Sequence, residues 1–183
     1  MVTRILLLVL LAAPAFGAEV AGVKIGDRTQ VANAELSLRG AGLRKRAFFQ
    51  VYAIGLYVAD RKADPIAQGG AKRIAIHMLR DVAADTFTAA LADGIRDNHS
   101  EAEARALEPR VAQLGAILAA VKEAKKGMAI TLDWVPGSGT QVTIDGKPAG
   151  KLIEGDDFYR GLLRIWLGGK PVQDDLKKAL LGS

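Results

Sequence analysis

Arg44 is the residue of this sequence best placed to do chemistry. It ends the stretch GAGLR, whose glycines Gly40 and Gly42 predict an irregular bend just before the arginine. An arginine there can present its planar fork to a carboxylate or another delocalised anion through two parallel hydrogen bonds. Gln50 and Tyr52 follow on an apolar segment with a strand pattern, and in a regular strand they share one face. The pattern predicts a site for an amphipathic anion, with its charged group on Arg44 and its body on apolar surface.

Two other interpretations of Arg44 stay open. Arg44 could be a solvated surface residue like Lys45 and Arg46, which we expect to be charges of a turn. It could also be structural, bonding backbone carbonyls around the bend at Gly40 and Gly42. In that case the domain would be an interaction module, Arg44→Ala would lower the melting temperature, and no ligand would be found.

Other chemistries find little support in the residue types. The absence of cysteine excludes disulfides, thiolate metal sites and a cysteine nucleophile. The two histidines are His77 and His99; only His99 has a second metal-ligand type at helical spacing, Glu103, and closed metal sites need three or four ligands. No serine lies in a G-x-S-x-G motif, and GAG at 40–42 precedes a strand pattern where a phosphate loop would precede a helix. We expect neither a metal nor a cofactor.

The first residues have the layout of a secretory signal peptide. Arg4 precedes an unbroken apolar run that is too short to span a bilayer, and small residues follow it. We expect residues 1–17 to be removed by cleavage after Gly17, with Ala18 the next candidate. The protein would then be periplasmic or secreted, with no integral membrane segment in the mature chain. The net charge of +5 is spread along the chain, so a nucleic-acid partner is not expected.

Hydrophobic periodicity predicts a single domain built of strands, helices, strands and helices. The first part shows a hairpin turning at IGDR, two strands on either side of the basic residues, the second of them central, and a strand at 72–82. Three further strands, joined by PGSG and DGKP turns, follow the helical block, and two helices close the chain. This order predicts an α+β fold with an antiparallel sheet covered on one face by helices.

The helical block between the two sets of strands has recognisable boundaries. Residues 83–98 place apolar side chains four apart, at Phe87, Leu91 and Ile95, which predicts an amphipathic helix. A second helix should begin at Ser100, because Ser100 and Glu103 fit a capping box. Pro109 lacks the backbone donor that a helix interior uses, so we expect it to kink or split this helix.

The stretch GAGLR followed by VYAIGLYV resembles the chalcone isomerase superfamily, in which a G-x-G-x-R turn precedes a strand of the type AIG-x-Y. The C-terminal segment FYRGLLRIWLGGKPVQDDLKKALLG is similar to the closing helices of that family. The resemblance covers nearly the whole of residues 18–183 and is to exported bacterial members more than to the plant enzymes. It implies an open-faced β-sandwich, with a ligand cleft between a large antiparallel sheet and a helical layer.

The resemblance also implies roles for particular residues. In the plant enzymes an arginine stabilises an oxyanion during ring closure of a chalcone, and Arg44 matches that arginine. Tyr52 falls where the next strand of those enzymes has a threonine, and Ile165, beside Trp166, falls where a late threonine stands. The catalytic tyrosine of the first helix has no equivalent, because this region offers Phe87 instead.

The missing hydroxyls favour binding over catalysis. Relatives of this fold that bind fatty acids hold the carboxylate with an arginine and a tyrosine, so the resemblance implies a non-catalytic binder of a small amphipathic or aromatic anion. Arg44 would anchor the anion with Tyr52 as second donor and Gln50 nearby, while Ile165 and Trp166 would form an apolar wall. The alternative is an isomerase, an intramolecular lyase in which Arg44 stabilises an oxyanion and Arg44→Ala abolishes turnover.

Overall fold

A computed structural model describes residues 16–183, so the expected signal peptide lies outside the described residues except for its last two. The elements in chain order are β1 (Phe16–Val20), β2 (Val23–Gly26), β3 (Arg28–Val31), β4 (Ala34–Arg46), β5 (Phe49–Val58), β6 (Lys72–Met78), β7 (Val82–Ala83), α1 (Ala84–Asp97), α2 (Glu101–Ala119), β8 (Glu123–Ala124), β9 (Ala129–Val135), β10 (Gly139–Ile144), β11 (Lys147–Ile153), α3 (Asp156–Leu167) and α4 (Asp174–Leu181).

The main sheet has seven strands in the order β11, β10, β9, β6, β5, β4, β3, and every neighbouring pair is antiparallel. The predicted central position of β5 is confirmed. The turn between β10 and β11 consists of Asp145 and Gly146, both with positive φ (48° and 77°), as an Asp-Gly hairpin requires. These features confirm the α+β fold with an antiparallel sheet that the sequence predicts.

The largest core lies between this sheet and the helices. Alternate residues of β5, namely Tyr52, Ile54, Leu56 and Val58, face the helical layer and are buried there. The helices contribute apolar stripes that pack against them. In α1 that stripe is the predicted set, Phe87, Leu91 and Ile95, and all three are buried. The apolar side chains that recur at every second residue of β5 and about every fourth residue of α1 therefore pack against each other across one interface.

A second core covers part of the opposite face of the sheet. The hairpin of β1 and β2 packs there, with Ile25 against Leu36, Leu38 and Tyr57. The predicted hairpin turn at IGDR is wrong, since the chain turns between β1 and β2 at residues 21–22. The IGDR stretch instead carries the chain from this hairpin into β3, which pairs with β4 in the main sheet.

Helix α2 begins as predicted but is not split by Pro109. Ser100 is its N-cap and forms a capping box with Glu103, in which each residue bonds the backbone of the other. The helix runs unbroken across Pro109 to Ala119. Leu107 and Leu114, on either side of the proline, are both buried. Burial of both halves against the same core holds the helix together across the missing backbone donor.

Gly40 and Gly42 do not form the predicted bend. They lie inside β4, paired with Leu56 and Ile54, and neither has a positive φ. A side chain at Gly40 would overlap the carbonyl oxygen of Ala179, and a Cβ at Gly42 would lie 2.6 Å from Leu176 Cδ1. The glycines therefore allow α4 to lie directly against the backbone of β4.

Candidate functional site

Arg44 lies near the end of β4, and its guanidinium points toward the connection between α3 and α4. Its Nη1 donates to the carbonyl oxygens of Lys45 (2.7 Å) and Val172 (3.1 Å), and to Oε1 of Gln173 (3.3 Å). The side chain is half-buried. Arg44 thus donates to backbone carbonyls, as its structural interpretation predicts. These carbonyls belong to Lys45 and Val172 and not to the segment from Gly40 to Gly42.

Gln173 closes this arrangement from the other side. Its Nε2 donates to Leu43 O (3.0 Å), and its Oε1 accepts from Lys45 N (2.8 Å) as well as from Arg44. One amide therefore ties the end of β4 to the start of α4. Gln173 was not among the predicted site residues, and nothing in the local pattern of GGKPVQDD marks it, because its partners lie about 130 residues earlier in the chain.

Tyr52 is the direct cross-strand neighbour of Arg44. It is 6% exposed, and its hydroxyl oxygen accepts from Nε1 of the fully buried Trp166 (3.0 Å). Burial raises the pKa of the Tyr52 hydroxyl, and the hydrogen bond from Trp166 and the nearby Arg44 offset part of that rise. The hydroxyl is therefore neutral near pH 7. Among the hydrogen bonds of the described residues it accepts but does not donate, so its proton is available to a ligand.

Around Arg44 and Tyr52, apolar side chains occupy the positions at which hydroxyl groups could have assisted proton transfer. The ring of Phe87 meets that of Tyr52 edge to face, with centroids 6.3 Å apart. Ile165 is 1% exposed, and its side chain packs against Gly94 of α1, where an added Cβ would lie 2.8 Å from Ile165 Cγ2. Tyr52 thus provides a hydroxyl beside Arg44, while positions 87 and 165 provide only hydrocarbon.

Gln50 does not join the cluster. The pairing of β4 with β5 shifts between Arg44 and Lys45, since Arg44 pairs with Tyr52 but Lys45 pairs with Gln50. Val51 is the extra residue of this bulge, and it turns Gln50 to the face opposite Tyr52. Gln50 is exposed. The structure therefore brings together Arg44, Tyr52 and Trp166, places Ile165 nearby between helices, and leaves Gln50 outside.

Two cavities lie away from this cluster. An apolar groove of about 610 Å³ runs between α2 and β11, and a polar cavity of about 270 Å³ lies beside His99, Glu103 and Arg164. Neither has Arg44, Tyr52 or Trp166 in its lining. Tyr52 and Trp166 are themselves buried, so a ligand would have to displace groups that now cover them.

Metal binding has no geometric support in the part of the chain that the structure describes. No group of three or more acidic or histidine side chains there could hold an ion. Glu103, the partner suggested for His99 by helical spacing, is engaged in the capping box, and His99 Nδ1 donates to Ile95 O (2.7 Å). None of the described helices has the length and apolar composition needed to cross a membrane.

Comparison with known proteins identifies the family. A family model described as chalcone isomerase-like matches residues 17–182. Among solved structures, the crystal structure of a fatty-acid binding protein from Arabidopsis thaliana matches with a TM-score of 0.65 and 16% sequence identity, covering 87% of this chain and 92% of that one. No curated protein sequence matches significantly. The match to the family model spans the main sheet and the four helices of the described residues, and the chain belongs to the chalcone isomerase-like family.

Proposed function

We propose that this protein is an exported, non-catalytic binder of a small amphipathic carboxylate such as a fatty acid. The observation that carries the proposal is the meeting of Arg44 and Tyr52 on one sheet face beneath α3. The guanidinium supplies a permanent positive charge, and the buried hydroxyl supplies a proton that no described residue accepts. A carboxylate can accept from both at once. The signal-like N-terminus supports export to the periplasm.

Binding would exchange the acceptors of Arg44. In the closed arrangement the guanidinium donates to Val172 O and Gln173 Oε1, which both belong to the connection between α3 and α4. A ligand carboxylate would replace these two acceptors, and the connection would move outward with them. The apolar body would then extend between the sheet and α3 along Trp166, with Ile165 behind it on the side of α1. Burial of that body is the driving force, because each buried CH₂ contributes about 0.8 kcal/mol.

Two further observations favour binding over ring closure. Phe87 and Ile165 lack the hydroxyl groups that would assist proton transfer. The fold is shared with a protein whose name states that it binds fatty acids.

The experiment compares a fatty acid with its methyl ester. We expect palmitic acid to raise the melting temperature of the wild-type protein, and methyl palmitate, which lacks the charge, to raise it much less. In Arg44→Ala the shift caused by the acid should disappear. The matched control is Arg39→Ala, because Arg39 lies on the same strand and donates to a carbonyl of the last helix, Leu181 O (2.9 Å), away from Tyr52.

Three results would contradict the proposal. The acid could fail to stabilise the wild type, it could stabilise Arg44→Ala as strongly as the wild type, or Arg39→Ala could lose the shift equally. In any of these cases Arg44 would not be the anchor of the acid. If the protein converts naringenin chalcone, measured as a change in the absorbance of the chalcone, the non-catalytic part of the proposal is contradicted.

A further inference from the structure

The turn between β4 and β5 carries two adjacent phenylalanines in contact with solvent. Phe48 is 99% exposed and Phe49 is 59% exposed. In the part of the chain that is described, the only other exposed large apolar side chain is Leu152, at 38%. Single exposed apolar residues are ordinary, but a pair of aromatic rings at one protruding end is the kind of surface that marks an interaction site.

The geometry of the turn holds these rings outward. Arg46 pairs with Phe49, so the turn itself consists of Ala47 and Phe48 only. Ala47 adopts a left-handed backbone conformation, with φ of 52°. A two-residue turn on a paired hairpin is short and well defined. Phe48 therefore projects from a firm support, and its ring does not fold back onto the sheet.

Positive charges surround the two rings. Lys45 and Arg46 are exposed on the strand that enters the turn. Arg80, also exposed, lies over the ring of Phe49, with its guanidinium carbon 4.4 Å from the ring centroid. Two exposed carboxylates lie in the same region: Asp175, whose pKa is lowered first by a hydrogen bond with Gln173 and least by Lys45, and Asp81, which follows Arg80 in the chain and accepts from Lys126 N. Lys45, Arg46 and Arg80 exceed them by one positive charge.

We propose that this hairpin end, residues 45–50, docks on an anionic lipid surface. Aromatic rings gain by leaving water for the boundary between headgroups and acyl chains, while lysine and arginine next to them meet the negative headgroups. A convex end with one fully exposed ring fits a fluid lipid surface, which can close around it, better than a preformed protein face. The proposal rests on the turn alone and stands or falls separately from the binding of an acid at Arg44 and Tyr52.

The test is co-sedimentation with lipid vesicles. The protein is used in its expected mature form, residues 18–183, because the apolar N-terminal segment of the full chain would itself bind lipid. We expect binding to vesicles of equal parts phosphatidylglycerol and phosphatidylcholine, weaker binding to phosphatidylcholine alone, and weakening by salt. Phe48→Ser should lower the partition coefficient about tenfold or more. Leu152→Ser is the matched control and should leave it unchanged.

Charge and aromatic variants complete the design. Arg46→Glu should weaken binding to the anionic vesicles, whereas Lys147→Glu, an exposed lysine at the far edge of the sheet, should not. Phe48→Trp should retain binding, and its fluorescence should shift to the blue on contact with lipid. Melting temperatures of the Phe48 variants should match the wild type because this side chain has no packing to lose.

The proposal is overturned if the wild type binds no anionic vesicles, if Phe48→Ser binds them as well as the wild type, or if neutral vesicles bind equally. It is also overturned if analytical ultracentrifugation without lipid shows that the wild type is a dimer and that Phe48→Ser is a monomer. That result would make the hairpin end a contact between two copies of the chain.

Discussion

Gln173 competes with any anion that Arg44 could bind. Its side-chain oxygen accepts from Arg44 and from Lys45 N, and its side-chain nitrogen donates to Leu43 O. These three bonds stabilise the closed arrangement of β4 and α4. The free energy that a ligand carboxylate gains on binding must exceed what these bonds contribute to the closed arrangement. The affinity for the ligand is reduced by that amount.

Gln173→Ala therefore separates the binding role of Arg44 from a structural one. We expect the variant to be less stable by about 1–2 kcal/mol, since it loses hydrogen bonds at a partly buried site. We also expect it to bind palmitic acid more tightly than the wild type, because the guanidinium loses one competing acceptor. Urea unfolding measures the first effect and calorimetric titration the second.

The matched control for Gln173→Ala is Gln113→Ala, whose side chain donates to Leu152 O (3.2 Å) far from Arg44. This variant should leave affinity for the acid unchanged. If Gln173→Ala binds palmitic acid no better than the control does, the guanidinium is not the anchor and its bonds to the last connection are purely structural.

At the scale of elements, the contact between β4 and α4 decides whether the candidate site exists. The helix approaches the strand so closely that the carbonyl oxygen of Ala179 occupies the space of a side chain at Gly40. Arg39 fastens the same helix by donating to Leu181 O (2.9 Å). Only glycine at position 40 permits this approach, and the approach brings Gln173 within reach of Arg44.

Gly40→Ala should accordingly destabilise the protein. The added methyl group would meet backbone atoms of α4, which move only with the helix, and we expect a loss of about 2 kcal/mol or more in the free energy of unfolding. Gly69→Ala is the control, because a Cβ there meets no atom within 4 Å and the φ of Gly69 is not positive. Urea unfolding of both variants checks the prediction; equal stability of the two would mean that α4 is not held against β4.

The sequence alone predicts those elements whose signals are local. Strand-like patterns predicted β4, β5 and β6, the capping box located the start of α2, and the Asp-Gly turn located the end of β10. The features that it missed depend on partners far along the chain. The bulge at Val51, which removes Gln50 from the site, follows from how two strands pair, and the role of Gly40 follows from a helix about 140 residues later.

At the scale of the whole molecule, one cation is buried with the main core among the residues that the structure describes. Lys72 begins β6, is 1% exposed, and lies on the helical face of the sheet, where it pairs with Val58 and Trp134. Its ammonium group makes one long hydrogen bond, of 3.5 Å, to Gly70 O. Burial lowers the pKa of Lys72, and the nearby carboxylate of Asp156 offsets part of that effect. The charged form is therefore less favourable in the folded state than in the unfolded one.

Lys72→Met should stabilise the protein and change how its stability depends on pH. In the wild type the unfolded chain holds the Lys72 proton up to its ordinary pKa of about 10.4, whereas the folded chain releases it at lower pH. Between these two values the unfolded state binds more protons, so the free energy of unfolding rises with pH. The variant lacks this rise and should be more stable near pH 7, by about 1 kcal/mol, because it removes a buried and poorly paired charge.

Urea unfolding from about pH 7 to about pH 10 measures both effects. Lys62→Met, at an exposed lysine, should follow the wild-type curve; a Lys72→Met curve parallel to the wild type would show that the lysine keeps its proton in the folded state.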